Sequence, residues 1–435
     1  MSELKRGMGL FHLTMYGVGL ILGAGIYVLI GEAAGFAGDA IWIAFVLGSI
    51  VALFAGLSYA ELSAIFPKAA AEYTFVKNAF KNNFFAFIIG WLTVITSMIT
   101  AATVALGFGG YFSEFLNIPI VISAILLIGI LTIVNFVGIK ESSWTNTVFT
   151  IIEAAGLILI IVIGFTISDP DPVNYFESPT GFTGIIIAFV LIFFAFIGFE
   201  DMANVAEEVR NPKKIIPRAI ILSVIISGTI YVLVSLAVVR AVNWEELSLS
   251  AAPLAEVAKR GLGTQGHIVF SGIALFAITN TVLITLVAGA RMIYGMARDK
   301  SFPNILAKVH SKTKTPWVAI IAIMLVAIGF SFIGDIVIVA NITVFAVVIT
   351  FGAINLSVII LRYTEPNIER KFRIPVNIGK FPVLPLFGLI ISAYMAFQFE
   401  MEVMLVGFGI IVIGIMFYVI FNRKSSKDKY PETIR

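Results

Sequence analysis

Cysteine is absent from all 435 residues. That excludes disulfides, thiolate metal centres and thiol redox chemistry. Only three histidines occur, His12, His267 and His310, and their spacing suits no metal site, so neither a metal nor another cofactor is expected. No Ser, His or Cys arrangement supplies a nucleophile with its base, which argues against an enzyme. Charge is scarce as well, at 13% of residues, against roughly 25% in soluble domains. The net charge of +3 is spread over many short loops, so no nucleic-acid surface is expected.

Apolar residues fill that space. They make up 59% of the chain, and the mean hydropathy is +1.02. A helix needs about 20 apolar residues to cross the hydrocarbon core. Twelve such spans are predicted, near residues 10–36, 39–65, 85–112, 119–138, 144–167, 182–208, 215–240, 267–297, 317–333, 336–361, 382–399 and 402–422. With both termini in the cytoplasm, all but Arg240, Lys259 and Arg260 of the 29 basic residues fall on the cytoplasmic side. Short cytoplasmic loops collect Lys and Arg, so this placement supports the count independently. The expectation is a multi-pass protein of the cell membrane, embedded in a lipid bilayer. Lys5 and Arg6 before an apolar run look like a signal peptide, but no small-residue cleavage site follows in a polar context and the apolar run continues to Gly31, so it reads as a retained first helix.

Two spans carry a glycine-rich interruption, Gly23-Ala24-Gly25 in the first and Ile197-Gly198-Phe199-Glu200-Asp201 in the sixth. Broken helices at bilayer depth free backbone groups that lipid cannot satisfy, so they survive where they line a cavity or hold a ligand. Five spans precede the second broken helix and five begin with it. An odd number reverses orientation, so two halves of one fold would form a 5+5 inverted repeat. The predicted divisions are residues 1–167, 168–361, two extra C-terminal helices at 362–422, and a cytoplasmic tail at 423–435. Residues 66–84 read as an amphipathic cytoplasmic segment, 168–181 as an acidic external turn, and 253–260 as a short external helix.

The chemistry expected at the breaks is complementary. Amides freed at Gly23, Ala24 and Gly25, at the positive end of a half-helix, suit a carboxylate. Carbonyls freed at Phe194, Ala195 and Ile197 suit an ammonium group. A zwitterionic amino acid fits both. Glu153 lies mid-span and Glu200 beside the second break, where an unpaired charge costs several kcal/mol, so each is a candidate for a proton. Thr93, Thr96, Ser97, Thr100 and Thr103 share a face of the third span. Intramembrane hydroxyls commonly bond back to the carbonyl four residues earlier, and Ser97, Thr100 and, from the eighth span, Asn280 are the candidate lining groups. Arg291 reads as a cytoplasmic anchor or gate.

Three motifs together resemble the amino acid, polyamine and organocation permease superfamily, nearest its cationic amino acid transporter branch and prokaryotic relatives. They are Gly23-Ala24-Gly25-Ile26-Tyr27; Phe194 to Glu200 followed by Ala206 to Pro212 and Pro217; and Ala290 to Asp299 with Pro303 and Thr315-Pro316. The resemblance implies an all-α membrane protein of the leucine transporter type, with broken helices 1 and 6. It implies that Gly23, Ala24 and Gly25 hold the substrate carboxylate and that the carbonyls of Ile21, Phe194, Ala195 and Ile197 receive its amino group, with Phe194 as an aromatic gate. Glu200 falls where some relatives keep an acid linked to proton gating, and Glu153 where several proton-coupled relatives carry lysine.

The expected function is therefore secondary active amino acid import by alternating access, coupled to protons. Sodium coupling through carbonyls of the first helix and hydroxyls such as Thr281 or Thr285 stays open. So do an ion-independent exchanger, a polyamine permease and, in a different class, a membrane amino acid sensor that binds without transport.

Overall fold

The computed structural model describes residues 8–68, 71–138, 143–167, 173–298 and 300–427. Lys5, Arg6, Lys140, Asp299, the Asp-Pro turn at 168–172 and the tail from 428 lie outside the described residues, as do the side chains of Glu207, Arg423, Lys424 and Lys427.

Helices dominate because an apolar run in lipid must satisfy every backbone polar group within itself. In chain order they are α1 (Leu10–Leu22), α2 (Ala24–Ala37), α3 (Ile41–Ile65), α4 (Ala71–Phe80), α5 (Asn83–Ser113), α6 (Ile120–Val137), α7 (Ser143–Thr166), α8 (Phe182–Ile192), α9 (Asp201–Asn204), α10 (Pro212–Ala241), α11 (Trp244–Leu249), α12 (Pro253–Arg298), α13 (Trp317–Ser331), α14 (Ile336–Thr364), α15 (Val383–Ala396) and α16 (Met401–Lys427). Among the described residues, nine helical stretches are long and apolar enough to cross a membrane, and α13 and α15 are shorter apolar helices. One stretch, Leu10–Ile65, is 56 residues long, far more than a single crossing needs. A 3-10 turn at Gly38–Ala40 divides it. β-Structure among the described residues is confined to the strand pair Asn377–Ile378 and Phe381–Pro382 and a single parallel bridge between Met8 and Val209.

The expected short helix at 253–260 is present, but it is the first part of α12, which turns at Gly263 (φ 71°, ψ −165°). The amphipathic segment at 66–84 contains α4, which buries Ala71, Glu72, Phe75, Val76 and Ala79 against α5 and α14. The interruption expected over Gly23-Ala24-Gly25 narrows to Gly23, because Ala24 already opens α2.

At the centre α3 packs on α10, α5 on α12, and α1 on both α7 and α10, while α2 lies along α8. The outer faces of α6 and α16 leave Ile130, Ile133, Leu405 and Phe408 exposed, as a surface facing lipid would. One end of the bundle is tied by charge. Glu61 of α3 accepts from Arg362 Nε and Nη2 (2.7 and 2.6 Å) and from the Ile374 amide (2.9 Å). The Arg370 Nε lies 3.3 Å from the same carboxylate. Near that end Lys81 pairs with Glu365 across 3.0 Å.

Candidate functional site

The first break is one residue wide. Gly23 has φ −52° and ψ −156°, which ends α1 and restarts the chain as α2. The first amides of a helix have no intrahelical acceptor and point out of its positive end. One of them is occupied, since the Ala24 amide donates to Thr281 Oγ1 of α12 (3.2 Å). The Thr281 hydroxyl in turn donates to the Ala277 carbonyl (3.0 Å).

The second break is wider. After α8 the chain tightens into a 3-10 turn at Phe193–Phe196, runs extended at Ile197 and reaches φ +127° at Gly198. A side chain there would be strained, and Leu20 of α1 lies 3.0 Å from where its Cβ would be. The Ile197 amide donates to the Phe194 carbonyl (3.2 Å). The Gly198 amide donates to Glu200 Oε2 (2.8 Å), so that carboxylate folds back on its own loop.

The two breaks abut. A Cβ on Gly25 would lie 2.5 Å from Ala195 Cα and 2.8 Å from its Cβ, closer than any side chain tolerates. Across this junction the Tyr231 hydroxyl of α10 reaches the Ala195 carbonyl (3.0 Å) and the Ile21 carbonyl. A hydroxyl carries one proton, so it serves one carbonyl at a time. Between the breaks and α5 lies a cavity of about 80 Å³. That exceeds what a single water needs and falls well below a drug-sized pocket. On its α5 wall Thr93 and Ser97 bond back to Ile89 and Thr93 carbonyls (2.9 and 3.3 Å), whereas the buried hydroxyls of Thr96 and Thr100 have no hydrogen-bond partner. The wall thus offers amide donors, carbonyl acceptors and two hydroxyls to one small polar guest.

The sequence pattern described as amino acid permease matches residues 8–428. The chain belongs to that family. It is 31% identical to the branched-chain amino acid permease BcaP of Bacillus subtilis (strain 168), over 98% of this chain and 95% of the relative. Identity to the methylthioribose transporter of the same organism is 29%, with the same coverage. Mouse cationic amino acid transporter 4 is 30% identical over 84% of this chain and 61% of its own length. The family and these relatives are transporters.

In this permease Ile21, Ala24, Gly25, Phe194, Ala195, Ile197, Glu200, Ser97 and Thr100 line the central cavity. Gly23 sits at the break without lining it. Asn280, expected on the cavity wall, instead donates through Nδ2 to Glu153 Oε1 (3.1 Å). Glu153 is 1% exposed, stands outside the cavity lining, and its Oε2 has no partner. It connects to α2 through its backbone, whose carbonyl accepts from the Tyr27 hydroxyl (3.0 Å). Tyr231 was not expected at the site. The available signal was a lone phenol in the apolar run of α10, since a buried Tyr hydroxyl needs a partner.

Proposed function

We propose that the permease is a secondary active importer of α-amino acids, driven by protons and working by alternating access around the central cavity. The observation that carries this is the abutment of the two breaks. Amides at the start of α2 and carbonyls of Ile21 and Ala195 converge on one cavity, and a carboxylate and an ammonium group one carbon apart match that pairing. The printed names of the branched-chain permease and the cationic transporter support the amino acid class.

A neutral side chain is favoured over a cationic one. The α5 and α12 walls, where a side chain would lie, present Thr96, Thr100, Val104 and Ile284 and no carboxylate. Of the two acids in the cavity, Glu200 is already bonded to Gly198, and Asp201 faces Asn204 (3.4 Å). Glu153 is the proposed proton carrier, because one of its oxygens is buried without a partner in the middle of a span.

The nine long stretches, the division of the first at Gly38–Ala40 and the two shorter apolar helices support twelve crossings with both termini cytoplasmic. Residues 1–167 and 168–361 would then form the inverted halves, with α1/α2 and the α8–α9 segment as the broken first helix of each, 362–422 the appended pair and 423–435 the tail.

The test is uptake of radiolabelled leucine, isoleucine, valine, arginine and lysine into proteoliposomes, with and without an inward proton gradient, for wild type and Glu153→Gln. Gradient-driven accumulation of the branched-chain set is expected in wild type, with only counterflow left in the variant. Accumulation indifferent to the gradient and to Glu153 would leave an ion-independent exchanger. Binding without any counterflow would leave a sensor.

A further inference from the structure

A second cavity of about 260 Å³ adjoins the central one, with Thr93 and Asp201 in both walls. It opens at the α4 end of the bundle, which is the cytoplasmic end in the topology proposed above. Its charged lining is mixed. Asp201, Glu72 and Glu208 line it together with Arg291 of α12. Among the described residues Arg291 closes no ion pair within 4.0 Å, so opposite charges share a cavity without meeting. Around them Tyr73, Met292 and Met296 supply an apolar wall. Thioethers on an unbranched chain adapt to guests of different shape.

We propose that this cavity is a second binding site for the transported amino acid, with the substrate ammonium on Asp201 and its carboxylate on Arg291. The inference rests on the amino acid importer reading above. Two features of the geometry support it. Charges of opposite sign that line one cavity without pairing can be bridged by a molecule that carries both, and a free α-amino acid does. Asp201 belongs to both cavities, so an ammonium group that leaves the Ile21 and Ala195 carbonyls can pass to it as the carboxylate leaves the α2 amides for Arg291. The roomier second site accommodates a partly hydrated substrate, as suits a release step. Arg291, which the sequence presents as an anchor, thereby becomes the carboxylate partner on the exit side. A guanidinium is suited to that role because its planar fork matches a carboxylate.

The experiment compares Arg291→Met and Arg291→Lys with wild type, measuring radiolabelled leucine uptake in right-side-out and in inside-out membrane vesicles. In Arg291→Met the ratio of cytoplasmic-side to extracellular-side KM should rise about tenfold, the cost of one charge-assisted contact. Arg291→Lys, which keeps the charge, should recover most of that ratio. Equilibrium dialysis of purified protein with leucine should show two molecules bound per chain in wild type and one in Arg291→Met. Because Arg291 is exposed, the substitution leaves the packing intact, and extracellular-side uptake by the same variant verifies the fold. An unchanged KM ratio, or a single bound leucine in wild type that does transport, overturns the second site alone. Wild-type protein that moves none of the tested amino acids overturns the importer reading and the second site with it.

Discussion

Gly25→Ala adds one methyl group at the closest approach of the two breaks. Its Cβ would stand 2.5 Å from Ala195 Cα and 2.8 Å from Ala195 Cβ, where ordinary contact begins at 3.4 Å. The obstacle is largely backbone, so no rotamer relieves it. The start of α2 and the 3-10 turn must separate by about 1 Å, at a cost of about 1–3 kcal/mol for an overpacked site. The same separation pulls the Ala195 carbonyl away from Tyr231 and widens the gap a substrate must bridge. If that cost falls on the bound state, leucine affinity should weaken about 5- to 150-fold, and Gly25→Leu should bind none. The assay is scintillation-proximity binding of radiolabelled leucine to purified protein, with thermal unfolding in detergent measured alongside. Gly129→Ala in α6 is the control, because nothing lies within 4 Å of its added Cβ. Wild-type affinity together with wild-type thermal stability in Gly25→Ala would refute the argument that the breaks depend on this contact.

Three further substitutions probe the supports of the site. Tyr231→Phe removes the donor shared by the Ile21 and Ala195 carbonyls and leaves a buried acceptor unserved. It should lower stability by about 1–3 kcal/mol and raise the KM for leucine, and an unchanged melting temperature would count against the role. Glu61→Gln strips the carboxylate from beside the buried Arg362 and the half-buried Arg370. The expected loss is about 3–5 kcal/mol, seen as a collapsed yield of monodisperse protein; a wild-type yield would show that the pair is dispensable. Glu72 lies on α4, outside the membrane spans, and burial pushes its carboxyl up to about 7 from 4.5; its backbone bond opposes the rise and the Asp201 charge adds to it. A raised carboxyl favours the protonated native state, so its contribution is full below 4.5 and is lost as pH climbs through about 7, on the order of 3 kcal/mol at most. Thermal stability of Glu72→Gln should therefore vary less than wild type between about pH 5 and pH 8, and parallel curves would refute this.

Much of the architecture is legible in one dimension because lipid leaves few options. An apolar run of span length must be helical, and Lys and Arg must gather on one side. That is why the helices fall close to the predicted spans and why both interruptions stand out as glycine-rich segments at span depth. The same rule does not say how far a break extends. Gly23 alone interrupts the first helix because Thr281, 257 positions from Ala24 and invisible to local sequence, caps the Ala24 amide and lets α2 begin at once.

That this protein is membrane-embedded and carries two glycine-rich breaks at span depth was thus determined by sequence alone, through composition and local pattern acting against a uniform solvent, while its permease family came from the motifs it shares with relatives. Only the tertiary structure decided the partners. It brought Tyr231 to the carbonyls of both breaks, turned Asn280 from the cavity toward Glu153, and placed Arg291 and Asp201 in the wall of one cavity. Each of these pairs residues from different helices. Their meeting depends on how the helices pack and rotate, which the apolar pattern of a span leaves free, because lipid and protein interior are equally apolar.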